Sequence, residues 1–378
     1  MSTLKTTNLQ NPSAGSPAIV LASDGTATAQ LSSVNGGPLA GARNRIINGD
    51  MRIDQRNAGG GITPGNFQYT VDRWRANLTQ TGKFTTQQNS GSVTPPVGHI
   101  NYLGVISTSA YPVGAGDLFA LNQAVEGLNV SDLGWGAAGA QSVTLSFWVR
   151  SSLTGTFGGA FQNSAQTRSY PFTYTVSATN TWEQKTIIVA GDTSGTWLTT
   201  NGVGINLFFS LGAGTTFSGT AGSWSGSLFF SATGATSVVG TNGATFYITG
   251  VQLEAGSVAT PFERRSYGQE LSLCQRYFEP ISKYERYAGA SSIATGFTQI
   301  SIPFKVSKRN TSYSTYWSTA TVFSTRSNTV TFFSPTGGGD STQAPTISAS
   351  YLESITITGS PTNGTTGGVF FGWIENEL

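Results

Sequence analysis

The chain has 378 residues, enough for two or three domains with cores of their own. Only 10% of them are charged, while 48 Gly, 22 Phe, 13 Tyr and 8 Trp stand in a background rich in Ser, Thr and Asn; this excludes a disordered polymer and points to an all-β protein of short strands and glycine turns. A net charge of +2 implies no polyanion partner, the lone Cys excludes an intrachain disulfide and a thiolate metal site, and no run reaches the ~18 apolar residues of a membrane span.

Residues 1–42 hold one apolar run, Ala18 to Leu21, followed by a Ser23-Asp24-Gly25 turn and the alternating Thr26 to Leu31, so a small hairpin is expected. The segment is too poor in apolar residues to form a core alone. Residues 43–265 read as one large β-sandwich. It opens with Arg45 to Met51 as a first strand and closes with Phe246 to Leu253. Strand-like alternation recurs at Val143 to Val149, Thr186 to Val189 and Ile205 to Phe209. A short helix and linker occupy 266–282. Ser266 and Gln269 stand at capping-box spacing, Leu271, Cys274, Tyr277 and Phe278 share a face, and Pro280 supplies a stop. A helix this short needs a packing partner, either the sandwich or other copies of the chain. From 283 to 378 the chain is β again, with alternation at Gln299 to Phe304 and Ser354 to Thr358 and a last strand at Val369 to Glu375.

No catalytic pattern stands out. The one histidine, His99, lies in the Pro-rich stretch Pro95 to His99 and reads as a surface or turn residue; there is no G-x-S-x-G elbow and no H-E-x-x-H. Glycan hydrolysis needs two carboxylates about 5–9.5 Å apart. Asp72, Asp117, Glu126, Asp132, Glu183 and Asp192 qualify by residue type alone. The basic cluster Arg43, Arg45, Arg52 and Arg56 is interleaved with Asp50 and Asp54 and reads as a self-neutralised surface rather than a nucleic-acid patch. Sugar binding asks less: an aromatic face to stack on a pyranose and a few polar groups to fix hydroxyls. Trp135, Trp197, Trp224, Tyr316 and Trp317 lie in loop-like contexts and are the candidates. Trp148 and Trp182 lie in strand-like patterns and read as core.

Four segments carry a resemblance: STLKTTNLQNPSAGSPAIVL, RNRIINGDMRIDQR, FYITGVQLEAGSVATPFERRSYGQELSLCQRYFE and the ending GWIENEL. Together they resemble bacteriophage tail-fibre and other virion fibre proteins. Pro303 to Thr311 matches that group's terminal-domain motif only loosely, with Asn310 where a proline is usual. The resemblance implies a structural, non-enzymatic virion protein, made in a bacterial cytoplasm. It would be a homotrimeric tail fibre that attaches to a host surface glycan and is anchored to tail or capsid proteins by residues 1–42. A capsid-bound head fibre or decoration protein is the alternative, and a polysaccharide-degrading tailspike a second. The body would be a carbohydrate-binding-like jelly roll with neighbouring terminal strands. Some such modules hold a structural calcium at that seam, for which Asp50 and Glu254 would be the ligands; no other cofactor is implied. Leu271, Cys274, Tyr277 and Phe278 would pack the trimer helices, and 283–378 would contact the host or clamp the trimer.

Overall fold

The computed structural model describes residues 43–286 and 298–309, and beyond them the backbone of short strand segments; side chains are described for 43–280 and 304–309. Eleven strands build the body: β1 (Tyr69–Val71), β2 (Trp74–Leu78), β3 (Phe84–Gln88), β4 (Leu103–Ser107), β5 (Leu118–Glu126), β6 (Val143–Ser151), β7 (Gly155–Gln162), β8 (Ser169–Val176), β9 (Glu183–Val189), β10 (Val203–Ala213) and β11 (Thr245–Ala255). They form two antiparallel sheets, one of six strands in the order β8-β7-β10-β5-β2-β1, the other of five in the order β9-β6-β11-β4-β3. The fold is all-β and sandwich-like, as the sequence leads one to expect.

Alternation explains the packing. In β6, Val143, Leu145, Phe147 and Val149 are fully buried between the sheets, and Phe119, Leu121 and Val125 of β5 face them from the other side. Aromatic rings interlock across the gap: Phe147 meets Phe209 at 4.9 Å and Tyr174 at 4.9 Å, both edge to face. Each such side chain contributes about 1.5–3 kcal/mol by leaving water.

The opening segment is not the first strand that the sequence suggests. Residues 45–53 run beside β11 as irregular chain: Arg45 N donates to Leu253 O (2.8 Å) and Val251 N to Gly49 O (2.9 Å). Side chains supply the other bonds, with Asn44 Nδ2 on Val251 O (3.0 Å) and Gln123 Oε1 accepting from Ile47 N (2.9 Å). Asn48 and Met51 have φ of 56° and 58°, incompatible with a strand. Gly49 lies so close to the Val251 carbonyl that a Cβ there would strike it. Terminal segments of the body are thus neighbours, held by two backbone bonds and by side chains rather than by a regular ladder.

Helix α1 (Tyr267–Gln275) is the one α-helix among the described residues. Ser266 caps it, accepting from Gln269 N at 3.3 Å. It ends at Gln275, well before Pro280, which sits inside the strand Phe278–Arg286. Cys274 and Tyr277 are fully buried against Ile47 and Ile53, with Leu271 packed alongside, and Phe278 lies 3.9 Å beneath the Arg56 guanidinium. Of the two partners expected for this helix, the sandwich or other copies, the opening segment of its own chain covers Cys274 and Tyr277, and Leu271 stays partly exposed. No described helix is long and apolar enough to cross a membrane.

Strand Phe278–Arg286 pairs along its length with Gly367–Glu375, and Ser314–Trp317 and Val330–Phe333 pair with that same strand. In the N-terminal segment, Ile19–Leu21 pairs antiparallel with Ala27–Ala29. Asn8–Leu9 pairs with Ile19 and Val20 on the other side; the rest of 1–42 apart from Ser23, the reading of the segment as an anchor, and the side chains of Tyr316 and Trp317 lie outside the described residues.

Candidate functional site

The two outer faces of the sandwich differ in cover: that of the five-stranded sheet is exposed in part, along β9 and beside it on β6. The outer face of the six-stranded sheet is covered by residues 215–233: Phe230 packs on Phe208 (4.8 Å), Leu118 and Ala120, and Gln162 Nε2 donates to Phe229 O (2.6 Å).

The outer face of the five-stranded sheet carries two rows. In one, Gln184 of β9, Trp148 of β6 and Thr249 of β11 lie side by side. In the next, Arg150 stands opposite Tyr247, and Trp182, the residue before β9, flanks Arg150. Trp148 and Trp182 are partly exposed and Gln184 is exposed. Tyr102 and Tyr247 form a buried floor, their rings 5.2 Å apart, with Trp182 5.6 Å from Tyr102 and 6.5 Å from Tyr247. The loop 89–101 borders this floor. Tyr102 Oη donates to Ser90 O (2.6 Å), Trp182 Nε1 to Thr94 O (2.9 Å) and Thr249 Oγ1 to Asn101 O (2.7 Å). Two residues of that loop, Val97 and Ile100, are 100% and 84% exposed.

His99 closes a turn, its N donating to Pro96 O (2.9 Å), and is partly exposed, as a turn residue is expected to be. Its ring stands edge-on to Phe262 at 5.2 Å. At a bulge in β11, Gly250 adopts φ +61°, and a Cβ there would lie 2.7 Å from His99 Cε1 and 3.1 Å from Trp148 Cδ1. Burial, then the charge of Arg264, lowers its pKa from 6.5 to about 4; Arg52 adds to the shift and Asp50 opposes it. The folded-state value lies below the unfolded one, so the unfolded chain takes up the proton first as pH falls. The contribution is complete above pH 6.5 and is lost on approach to pH 4. With solvent screening, about 1–2 kcal/mol is at stake. The thermal midpoint is expected to fall between neutral pH and pH 4.5, and His99→Gln should lack that part of the fall.

Three of the five expected sugar-stacking residues do come together, but facing one another. Trp135, Trp197 and Trp224 form a mutually edge-on cluster with ring separations of 4.7, 5.3 and 5.4 Å. Trp135 and Trp197 are 8% and 9% exposed, and each indole N–H is bound internally: Trp135 to Gln141 O, Trp197 to Ser194 O, Trp224 to Ala190 O. The hollow beside them, lined by Val130, Leu198 and Ile205, measures about 10 Å³, room for one water and not for a sugar. Conversely Trp148 and Trp182, expected in the core, stand on the partly exposed outer face of the five-stranded sheet. The missed signal was parity: Trp148 shares its side of β6 with Thr144, Ser146 and Arg150, opposite the apolar set.

The carboxylates are held by the chain itself. Glu254 accepts from Thr260 N (2.8 Å), Thr260 Oγ1 (2.6 Å) and Gln252 Nε2 (2.9 Å), and Asp50 binds Arg52 at 2.6 Å. Among the described residues no three His, Cys, Asp or Glu converge as metal ligands. Asp192 takes a two-point contact from Arg168 (2.7 Å each), Glu126 one from Arg276 (2.7 and 3.0 Å) plus the Tyr277 hydroxyl, and Asp132 binds Arg45 at 2.5 Å. Asp72 accepts from Gln55, Asp117 from Tyr111 Oη, and Glu183 binds Lys185 at 2.6 Å. The basic cluster is less solvated than its composition suggests, since Arg45 is 13% exposed at its side chain and Arg56 stacks on Tyr69 and Phe278.

No protein-family model and no curated protein matches the chain. Among solved structures it is similar to the enzymatically active domain of tailspike protein 4 of bacteriophage CBA120, at 12% identity and a TM-score of 0.31, over 56% of this chain and 21% of that one. It is also similar to TmCBM61 in complex with β-1,4-galactotriose (11% identity, TM-score 0.29, 56% of this chain and 99% of that). A third is the family 11 carbohydrate-binding module from Clostridium thermocellum in complex with a mixed-linked tetrasaccharide (11% identity, TM-score 0.27, 53% and 98%). The chain thus spans about a fifth of the tailspike domain. Likeness at these scores says nothing of what this chain binds.

Proposed function

We propose that this protein is a structural bacteriophage protein, a homotrimeric tail fibre or related appendage of the virion, that attaches to a host surface glycan without cleaving it. The observation that carries the binding half is the pair of partly exposed indoles, Trp148 and Trp182, on the partly exposed outer face of the five-stranded sheet, with Gln184 and Arg150 beside them. An indole face stacks on the apolar face of a pyranose while amide and guanidinium groups fix its hydroxyls. Each site would be weak, and three per fibre would give strong attachment through avidity. A non-hydrolytic role is supported by the carboxylates, which are already bound by the chain's own side chains and amides.

The virion half is supported by the sequence resemblance and by what its motifs do. The RNRIINGDMRIDQR segment and the GVQLE to CQRYFE segment lie some two hundred residues apart, yet they build one joint. Arg265 Nη1 donates to Ile46 O (3.1 Å), Glu270 Oε1 accepts from Asn48 N (2.5 Å), and Gln55 Nε2 reaches Phe278 O (3.2 Å). The trimer rests on the resemblance alone, because the helix buries Cys274 and Tyr277 against its own chain. Trp148→Ala and Trp182→Ala are each expected to weaken binding to bacterial surface polysaccharides about tenfold, the loss of a stacking anchor of roughly 1–2 kcal/mol. Light scattering on the same preparations should return a trimer mass. Unchanged binding in the double variant sinks the glycan face, and a monomer mass sinks the fibre.

A further inference from the structure

Two guanidinium groups flank this outer face with no carboxylate of their own. Arg150 spends only its Nε, on Asn180 O at 2.9 Å, and its Cζ stands 5.5 Å from the centre of the Tyr247 ring. Arg264 is exposed at the edge of the loop bordering the platform: its Nη2 lies 2.7 Å from where a Cβ on Gly98 would stand, and its Cζ is 5.8 Å from the ring centre of Phe262, which meets His99. The other charges on this side are matched. Arg52 is paired with Asp50 and Lys185 with Glu183, each at 2.6 Å, and Glu183 also accepts from Ser177 N and Ala178 N. His99 is neutral there near pH 7. In a chain with only 10% charged residues, two unmatched cations beside two partly exposed indoles are a local arrangement that the overall charge of +2 does not convey.

We propose that this face takes an anionic polysaccharide bearing carboxylates, a uronic acid polymer, with Trp148 and Trp182 stacked on sugar rings and Arg150 and Arg264 pairing with the carboxylates. The proposal rests on the glycan-binding reading above. A planar guanidinium offers two parallel N–H donors to a carboxylate, and a site partly screened from water by aromatic rings strengthens that bond. The two cations lie at different edges of the platform, which suits a repeating acid better than a single terminal one.

The test uses the full chain and surfaces coated with polygalacturonate and alginate, the same polymers after carboxyl reduction to neutral glycans, and dextran sulfate. The expected result is binding to at least one uronate polymer and about tenfold weaker binding to its reduced form. Arg150→Gln and Arg264→Gln should each lower uronate affinity several-fold and flatten its salt dependence, with unchanged thermal midpoints. If the reduced polymers bind as well as their parents, or the arginine variants bind like the parent protein, the acidic assignment falls. The platform itself survives in that case, provided Trp148→Ala still weakens binding. If dextran sulfate binds as tightly as the uronates and neither tryptophan matters, the attraction is that of a generic polyelectrolyte and both assignments fall. Binding to none of these polymers overturns the uronate proposal outright.

Discussion

Replacing Trp135 with alanine is expected to destabilise the fold by about 3–5 kcal/mol while leaving glycan binding of the folded protein unchanged. The ring is 8% exposed and meets Trp197, Trp224 and Phe161 edge-on. Its removal opens a cavity that three rigid aromatic neighbours cannot refill, and it strips the Gln141 carbonyl of its donor, 2.8 Å away. Trp182→Ala should show the opposite pattern, a small change in the denaturation midpoint and a large loss of binding. Urea titration and polysaccharide binding measured on both variants decide the matter. A stable Trp135→Ala that no longer binds would return the cluster to the role that its loop-like sequence context suggests.

Glu270→Ala is expected to cost about 3 kcal/mol, because it takes the nearer carboxylate from the buried Arg265 and leaves it only Glu263 at 3.6 Å. Both side chains are 6% exposed and 3.4 Å apart, and the carboxylate also accepts from Asn48 N. Burial pushes the Glu270 carboxyl above its usual range against the pull of Arg265, so the pair orients the joint more than it stabilises it. Glu270→Gln keeps the size and an acceptor for Asn48 and should cost distinctly less. Chemical denaturation of the two variants side by side tests this ordering; an alanine variant as stable as the parent would remove the joint from the list of structural essentials. A similar buried pair, Lys308 with Glu279 at 2.5 Å, ties the segment 304–309 to the end of α1, where Lys308 also donates to Gln275 O (2.6 Å).

Much of this molecule is written in local sequence. Composition and the alternation of apolar residues determined an all-β chain, and the inward parity of Val143, Leu145, Phe147 and Val149 marks a strand between two sheets. Ser266 before an amphipathic turn marked the helix start. Such signals depend on spacing within a few residues, and spacing survives in any tertiary context.

Three matters were settled only by the fold. The residues 45–51 look like a strand, but Asn48 and Met51 take left-handed angles because Glu270 and Gln123, distant in sequence, supply the bonds a ladder would have given. The helix face could pack on the sandwich or on other copies, and Ile47 and Ile53 arrive from over two hundred residues away to cover Cys274 and Tyr277 on it. The tryptophans exchanged roles: glycine-rich loops folded over Trp135 and Trp197, whereas a regular strand turned Trp148 outward. A loop context says that the backbone is irregular, not that the side chain is wet, and a strand has two faces. Which tryptophans meet solvent depends on which loops pack on which sheet, and no short-range pattern in the sequence encodes that.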